Sequence, residues 1–116
     1  MTKYIMTKKS NKEPLGVLFR NKREEKGLLV RQVAAVIEVD QAIISRIENG
    51  DRLPTREQAI KLAGLYGLKQ NAVLADWLAE KMVKDYGNDP LAPDALMEAH
   101  SRIHLRLSEK RGKGKS

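Results

Sequence analysis

Residues 28–50 read L-L-V-R-Q-V-A-A-V-I-E-V-D-Q-A-I-I-S-R-I-E-N-G, two short amphipathic runs broken at Glu38-Val39-Asp40. In the first run Val33, Ala34 and Ile37 recur at the spacing of one helix face. In the second, Ile44 and Ile47 stand three residues apart, while Gln41, Ala42, Ser45 and Arg46 point elsewhere. Asp40 precedes the second run, where a carboxylate can accept the free N–H groups that open a helix. Gly50 follows it, where a helix end commonly needs one residue at positive φ. Two helices of roughly two turns each, joined by a few residues, make a helix-turn-helix unit. Ala34 suits the crossing point, where only a small side chain lets two axes approach.

With these residues in place, the segment V-A-A-V-I-E-V-D-Q-A-I-I-S-R-I-E-N-G resembles the Xre/Cro-type helix-turn-helix domain of phage repressors and bacterial regulators. The resemblance extends from about Leu15 to Leu68. It is carried by Ala34, Val39, Ile44-Ser45-Arg46-Ile47 and Glu48-Asn49-Gly50, with Pro54 and an amphipathic helix behind them. It implies an all-α, lambda-repressor-like fold: a five-helix helix-turn-helix domain, here with an extra C-terminal helix. Two positions depart from the family pattern. The second helix opens on Leu29 and Val30 rather than a Ser or Thr cap and Gln, a loss worth about 1 kcal/mol of local helix stability. Glu38 stands where the family often has Gly.

Charge is unevenly distributed in this chain of 116 residues and net charge +7. Residues 1–37 carry nine Lys/Arg and three Asp/Glu, residues 38–98 seven and eleven, and residues 99–116 six and one. Basic ends around a mildly acidic middle suit a polyanionic partner gripped partly by arms. No cysteine is present, which removes disulfide, zinc-finger and thiol chemistry. No apolar run approaches the length of a membrane span, and the N-terminus lacks the apolar core of a secretory signal. The expected location is the cytoplasm, in association with the bacterial nucleoid, and no membrane partner is expected.

In chain order, residues 1–13 read as a flexible basic arm, in which Ser10 or Asn11 could cap the first helix. Residues 14–70 form the DNA-binding domain. Its first helix follows Pro14, a residue suited to a first turn, buries Leu15, Leu18 and Phe19, and ends at Gly27. After the recognition helix, Thr55 and Gln58 have capping-box spacing, and the next helix buries Ala59, Ile60, Leu62 or Ala63, and Tyr66 before Gly67. Residues 71–110 hold two further helices, Asn71 to Tyr86 and Asp94 to about Lys110. Their apolar residues Leu74, Trp77, Leu78, Leu96, Ile103 and Leu107 either fold back within the subunit or form a dimer interface. Two-fold operators favour the second arrangement. Residues 111–116, R-G-K-G-K-S, read as a disordered basic tail.

The resemblance also places functional residues. Gln41, Ala42 and Arg46 of the third helix would enter the major groove, with Ile43 and Ser45 beside them. Arg46 can bond guanine in bidentate fashion, Gln41 can pair with adenine, and Ala42 or Ile43 can lie against a thymine methyl. On the competing reading Arg46 binds phosphate and Ile43 packs in the core. Phosphate contacts are expected from Arg20, Lys22, Arg23, Lys26, Arg31, Gln32, Asn49, Arg52 and Arg56. Arg23 and Glu48 would form a structural ion pair linking the first helix to the end of the third.

The partners so implied are double-stranded DNA and a second copy of the chain. The function is a sequence-specific transcriptional regulator that acts as a dimer on a palindromic operator. The segments L-L-V-R-Q-V-A-A and D-Q-A-I-I-S-R-I-E-N-G look most like regulators of restriction–modification systems, so control of its own or such an operon is the expected role. The alternative is an antitoxin-type interaction module whose C-terminal helices bind a protein partner. An enzyme is poorly supported: no nucleophile–base constellation, glycine-rich phosphate loop or metal cluster is evident. His100 and His104, one helical turn apart, lack a third ligand, so neither metal nor cofactor is expected.

Overall fold

The computed structural model describes residues 13–114, and all regular structure among them is helical. Six helices follow one another: α1 (Leu15–Glu25), α2 (Val30–Ile37), α3 (Gln41–Glu48), α4 (Arg56–Tyr66), α5 (Gln70–Tyr86) and α6 (Ala92–Gly114). They divide into two compact units, the second beginning at Met82.

The first unit is built on one aliphatic core. Leu15 and Phe19 of α1, Val33, Ala34 and Ile37 of α2, Ile44 and Ile47 of α3, Ala59, Leu62, Ala63 and Tyr66 of α4, and Val73 and Leu74 of α5 are all buried. Each set repeats at three or four residues, so every helix gives one stripe to the same interior. Both alternatives at Leu62 and Ala63 are realised, because a short helix packed on two neighbours buries a wider face. Burial fades along α5: Trp77 is half-buried, whereas Leu78 and Met82 are exposed.

Local chemistry sets the helix ends. Pro14 occupies the cap position of α1 in an extended conformation, and the first helical N–H, that of Leu15, donates to the Glu80 carboxylate of α5. A distant acid at a helix N-terminus satisfies an orphan donor and complements the helix dipole. Ser10 and Asn11 lie outside the described residues. At α2, Leu29 offers no side-chain acceptor, and Gln32 supplies half of a capping box by accepting the Leu29 N–H at 2.8 Å. Asp40 caps α3 by position alone, with no hydrogen bond from its carboxylate. At α4 both halves of the box form, Gln58 N–H to the Thr55 hydroxyl at 3.1 Å and Thr55 N–H to the Gln58 side chain at 3.0 Å.

A close helix approach lies at Gly16, and Ala34 is buried in the core on α2. A Cβ added to Gly16 would stand 2.3 Å from the Ile47 carbonyl oxygen and 3.1 Å from that of Glu48. Hydrogen alone lets α1 lie against the backbone end of α3. In the α2–α3 turn Glu38 adopts φ 61°, ψ 51°, a left-handed conformation that costs a residue with a Cβ roughly 1–2 kcal/mol.

The second unit comprises the last turn of α5, the 87–91 connection and α6. Asp89 organises the connection by accepting the Leu91 N–H on its carboxylate at 2.9 Å. Helix α6 starts at Ala92, two residues before the expected Asp94, since Pro93 in a first turn forgoes no hydrogen bond. It also extends past Lys110 to Gly114. Residues 111–114 are therefore helical where a disordered tail was expected, and the final two residues lie outside the described region.

Two outcomes follow for chemical denaturation. Gly16→Ala should lose about 1–3 kcal/mol, the range of overpacking a closed core. Glu38→Gly should gain about 0.5–1 kcal/mol by relieving the left-handed strain, with an unchanged denaturant slope.

Candidate nucleic-acid interface

Helix α3 buries Ile44, Ile47 and Glu48 and exposes Gln41, Ala42, Ser45, Arg46 and Asn49. The exposed residues follow at steps of one, three, one and three, which is one continuous face of a 3.6-residue helix. Eight residues make α3 roughly 12 Å long, comparable to the width of a B-DNA major groove. Ile43 is half-buried and packs against the core at the edge of this face. Its side chain therefore does structural work, and the exposed set gains Asn49 at its far end.

Three contacts fix the orientation of α3. Val39 and the apolar faces of α2 and α3 close the turn, with the Val39 N–H bonded to the Ala34 carbonyl at 3.0 Å. Gly16 admits α1 against the last turn. The third contact is the ion pair: Arg23 Nε and Nη2 donate to Glu48 Oε2 and Oε1 at 2.8 and 3.0 Å. The remaining terminal nitrogen, Nη1, donates to the Leu28 carbonyl at 3.0 Å. The two side chains are only 12% and 5% exposed. This fork geometry satisfies both carboxylate oxygens in a dry site, where unmatched charge is most costly. The Glu48 hydrogen bond and charge hold the Arg23 guanidinium above its ordinary pKa against the opposing effect of burial.

These bonds engage three of the five N–H groups of Arg23 and hold a side chain only 12% exposed, which is the structural role expected of it. The other basic residues differ in availability. Arg20 and Lys22 make exposed pairs with Glu24 and Glu25 at 3.6 and 3.5 Å, which contribute little and yield readily to a phosphate. Arg31, Arg46, Arg52 and Arg56 are exposed and form no ion pair among the described residues. Lys26 is likewise exposed, next to the C-terminal end of α1. Gln32 turns its carbonyl oxygen to the α2 cap, which leaves its NH2 group as the donor available to a phosphate.

The loop that carries Arg52 and leads into Arg56 of α4 is tied down from α5. Trp77 Nε1 donates to the Pro54 carbonyl at 2.7 Å, and Pro54 is itself buried. Trp77 and Leu74 were expected in a dimer interface. Leu74 is 7% exposed in the core and Trp77 is engaged with the loop, so both serve the interior of the first unit. Leu78, Leu96, Ile103 and Leu107 remain exposed. Neither the Trp77 anchor nor the Glu80 cap was legible beforehand, since each joins residues far apart in the chain.

Residues 19–69 match the family model described as Helix-turn-helix. That span contains α2, its turn, α3 and α4, the helix-turn-helix unit of the first compact unit. No curated protein matches the chain. Among solved structures it is similar to the "SinR protein/SinI protein complex", at 20% identity and a TM-score of 0.47 over 80% of this chain and 97% of the other. That likeness is too slight to bear on fold or function.

Behind the ion pair lies Tyr66, whose hydroxyl is buried with no hydrogen-bond partner among the described residues. Its ring packs 6.0 Å from that of Phe19. Burial, reinforced by the Glu48 charge, pushes its pKa from 10.0 up to about 12. The folded state thus holds this proton more tightly than the unfolded chain. The resulting stability is complete below pH 10 and is lost as pH rises towards 12. Tyr66→Phe should be at least as stable as the parent at pH 7, because a buried unpaired hydroxyl is removed. Between pH 10 and 12 it should lose less stability than the parent, as urea unfolding at pH 8 and 11 would record.

Proposed function

We propose that the chain is a sequence-specific DNA-binding regulator that acts as a dimer on a palindromic operator. The observation that supports this most directly is the exposed face of α3. It presents an exposed Arg46 between Gln41, Ala42 and Asn49 on a helix anchored at its far end by the Arg23–Glu48 pair. Arg46 reads guanine through a bidentate contact, Gln41 reads adenine, and Ala42 and Ser45 fit close against the groove floor. Arg31, Arg52 and Arg56, with Lys26, Arg20 and Lys22, bind phosphate, positioning the protein and making affinity depend on salt. Gln32 and Asn49 add neutral donors to the same backbone.

A palindrome requires two copies whose recognition helices lie one helical turn of DNA apart, roughly 34–36 Å. In the C-terminal unit Met82, Val83, Tyr86 and Leu91 are exposed and supply apolar area for that contact. The operator we infer lies upstream of the protein's own gene, whether alone or with a restriction–modification operon. A second reading, a protein-interaction module, is favoured by the exposed apolar side chains of α6.

Fluorescence anisotropy with the gene's own upstream duplex and a scrambled duplex, at two salt concentrations, tests the proposal. The upstream duplex should bind tighter by a factor of at least about 10³. Arg46→Ala should lose about 1–3 kcal/mol on that duplex and little on the scrambled one. Equal, weak binding to both duplexes, unchanged by Arg46→Ala, would refute autoregulation through α3.

A further inference from the structure

Asp40 stands at the head of α3 with its carboxylate unused. Its backbone has the extended conformation of a cap residue, φ −71° and ψ 149°, yet its side chain accepts no hydrogen bond from the helix. The Ile43 N–H, which a capping carboxylate would take, is held by the Asp40 backbone carbonyl at 2.9 Å. Thr55, in the same position at α4, does accept its N–H, from Gln58 at 3.1 Å. Asp40 is exposed and enters no ion pair among the described residues. The other acid of this element, Glu48, is locked to Arg23. Asp40 also adjoins Gln41, where the exposed face of Gln41, Ala42, Ser45, Arg46 and Asn49 begins.

The chemistry of a major groove narrows what a carboxylate can do there. A recognition helix meets base edges with its N-terminal residues, and an ionised carboxylate only accepts hydrogen bonds. Phosphate oxygens repel it. Guanine N7 and O6 and thymine O4 are acceptors and offer it nothing. Adenine has a donor at N6, but with the N7 acceptor beside it, whereas cytosine presents its N4 amino group alone. Cytosine is therefore the base that suits a single carboxylate.

We propose that Asp40 is a specificity-determining residue of the DNA face, accepting a hydrogen bond from the N4 amino group of a cytosine opposite the start of α3. The proposal rests on the reading of α3 as the major-groove helix and adds a second kind of selection to it. Arg46 and Gln41 choose by attraction, while Asp40 chooses largely by exclusion, since a wrong base sets an acceptor against the carboxylate. The same charge lowers affinity for DNA of every sequence, because it subtracts from the cations that meet phosphate.

The test needs no known operator. The full chain is mixed with a duplex pool randomised at its centre, and the bound duplexes are sequenced. The selected duplex and its single base-pair variants are then titrated by fluorescence anisotropy. The parent should select cytosine at one position. Exchanging that C·G pair for T·A replaces the N4 donor by the O4 acceptor and should weaken binding at least about 5-fold. Asp40→Ala should bind the two duplexes equally and non-specific DNA more tightly. Asp40→Asn keeps the shape of the side chain, so it serves even if the alanine variant fails to fold. Its amide both donates and accepts and should move the preference towards adenine. Glu38→Gln, which removes an exposed acid from the same turn, should leave the base preference of the parent unchanged. If Asp40 is only a helix cap, both Asp40 variants will lose urea stability and weaken on every duplex alike with the preference intact, which would overturn the proposal. Relaxed selection by Arg46→Ala but by neither Asp40 variant would overturn it too, and leave the reading of α3 standing. A parent that selects no base at any position would overturn both together.

Discussion

The bidentate contact between Arg23 and Glu48 is the constraint on which the exposed face of α3 depends. It joins the end of α1 to the end of α3, and the third donor of Arg23 holds the chain at Leu28 as α2 approaches. Three segments therefore meet in one nearly dry charge pair. Such pairs add little net stability over an apolar contact, but breaking one strands a buried charge at a cost of about 3–5 kcal/mol. The pair thus fixes orientation more than it adds stability. An α3 rotated on its axis would carry Glu48 away from Arg23, and with it Arg46 away from its present exposed position.

The rest of the first unit is arranged so that this geometry can close. Gly16 removes the one side chain that would separate α1 from α3, and the close approach brings Arg23 within reach two turns later. Tyr66 fills the space behind the pair at the expense of an unpartnered hydroxyl, whose apolar surroundings keep the site dry. Glu38 accepts a left-handed backbone so that α3 can leave α2 at the required angle. Each of these positions sacrifices something locally. The shared gain is a single orientation for an eight-residue helix that could not hold its shape alone.

Much of the first unit was legible from residues 28–50 because its signals are local. The apolar spacing of Val33, Ala34 and Ile37 and of Ile44 and Ile47, together with Gly50, needs only neighbours to be read. The Thr55–Gln58 box is legible for the same reason. What the sequence concealed is long-range. Glu80 caps a helix 65 residues earlier, Trp77 holds a loop 23 residues earlier, and Gly16 looks like an ordinary surface glycine until α3 is placed against it. The candidate site divides in the same way. Exposure of Gln41, Ala42 and Arg46 follows from helical periodicity, whereas the burial of Arg23 against Glu48 and the Leu28 carbonyl is visible only in three dimensions. At the C-terminal end R-G-K-G composition argued for disorder, but the backbone hydrogen bonds of a long helix carry on through it.

The role of α5 bears on how this protein could be recombined. The recognisable family span stops at residue 69, yet Val73, Leu74, Trp77 and Glu80 complete the core, brace the loop and cap the first helix. The portable module is therefore longer than its sequence signature, with a physical edge near Lys81 rather than at the end of α4. A chimera joined at the end of the family span would inherit the recognition helix without the parts that hold its scaffold shut. One joined after Lys81 would carry the complete first unit. By that measure the second unit is the exchangeable part, free to diverge while the first unit stays intact.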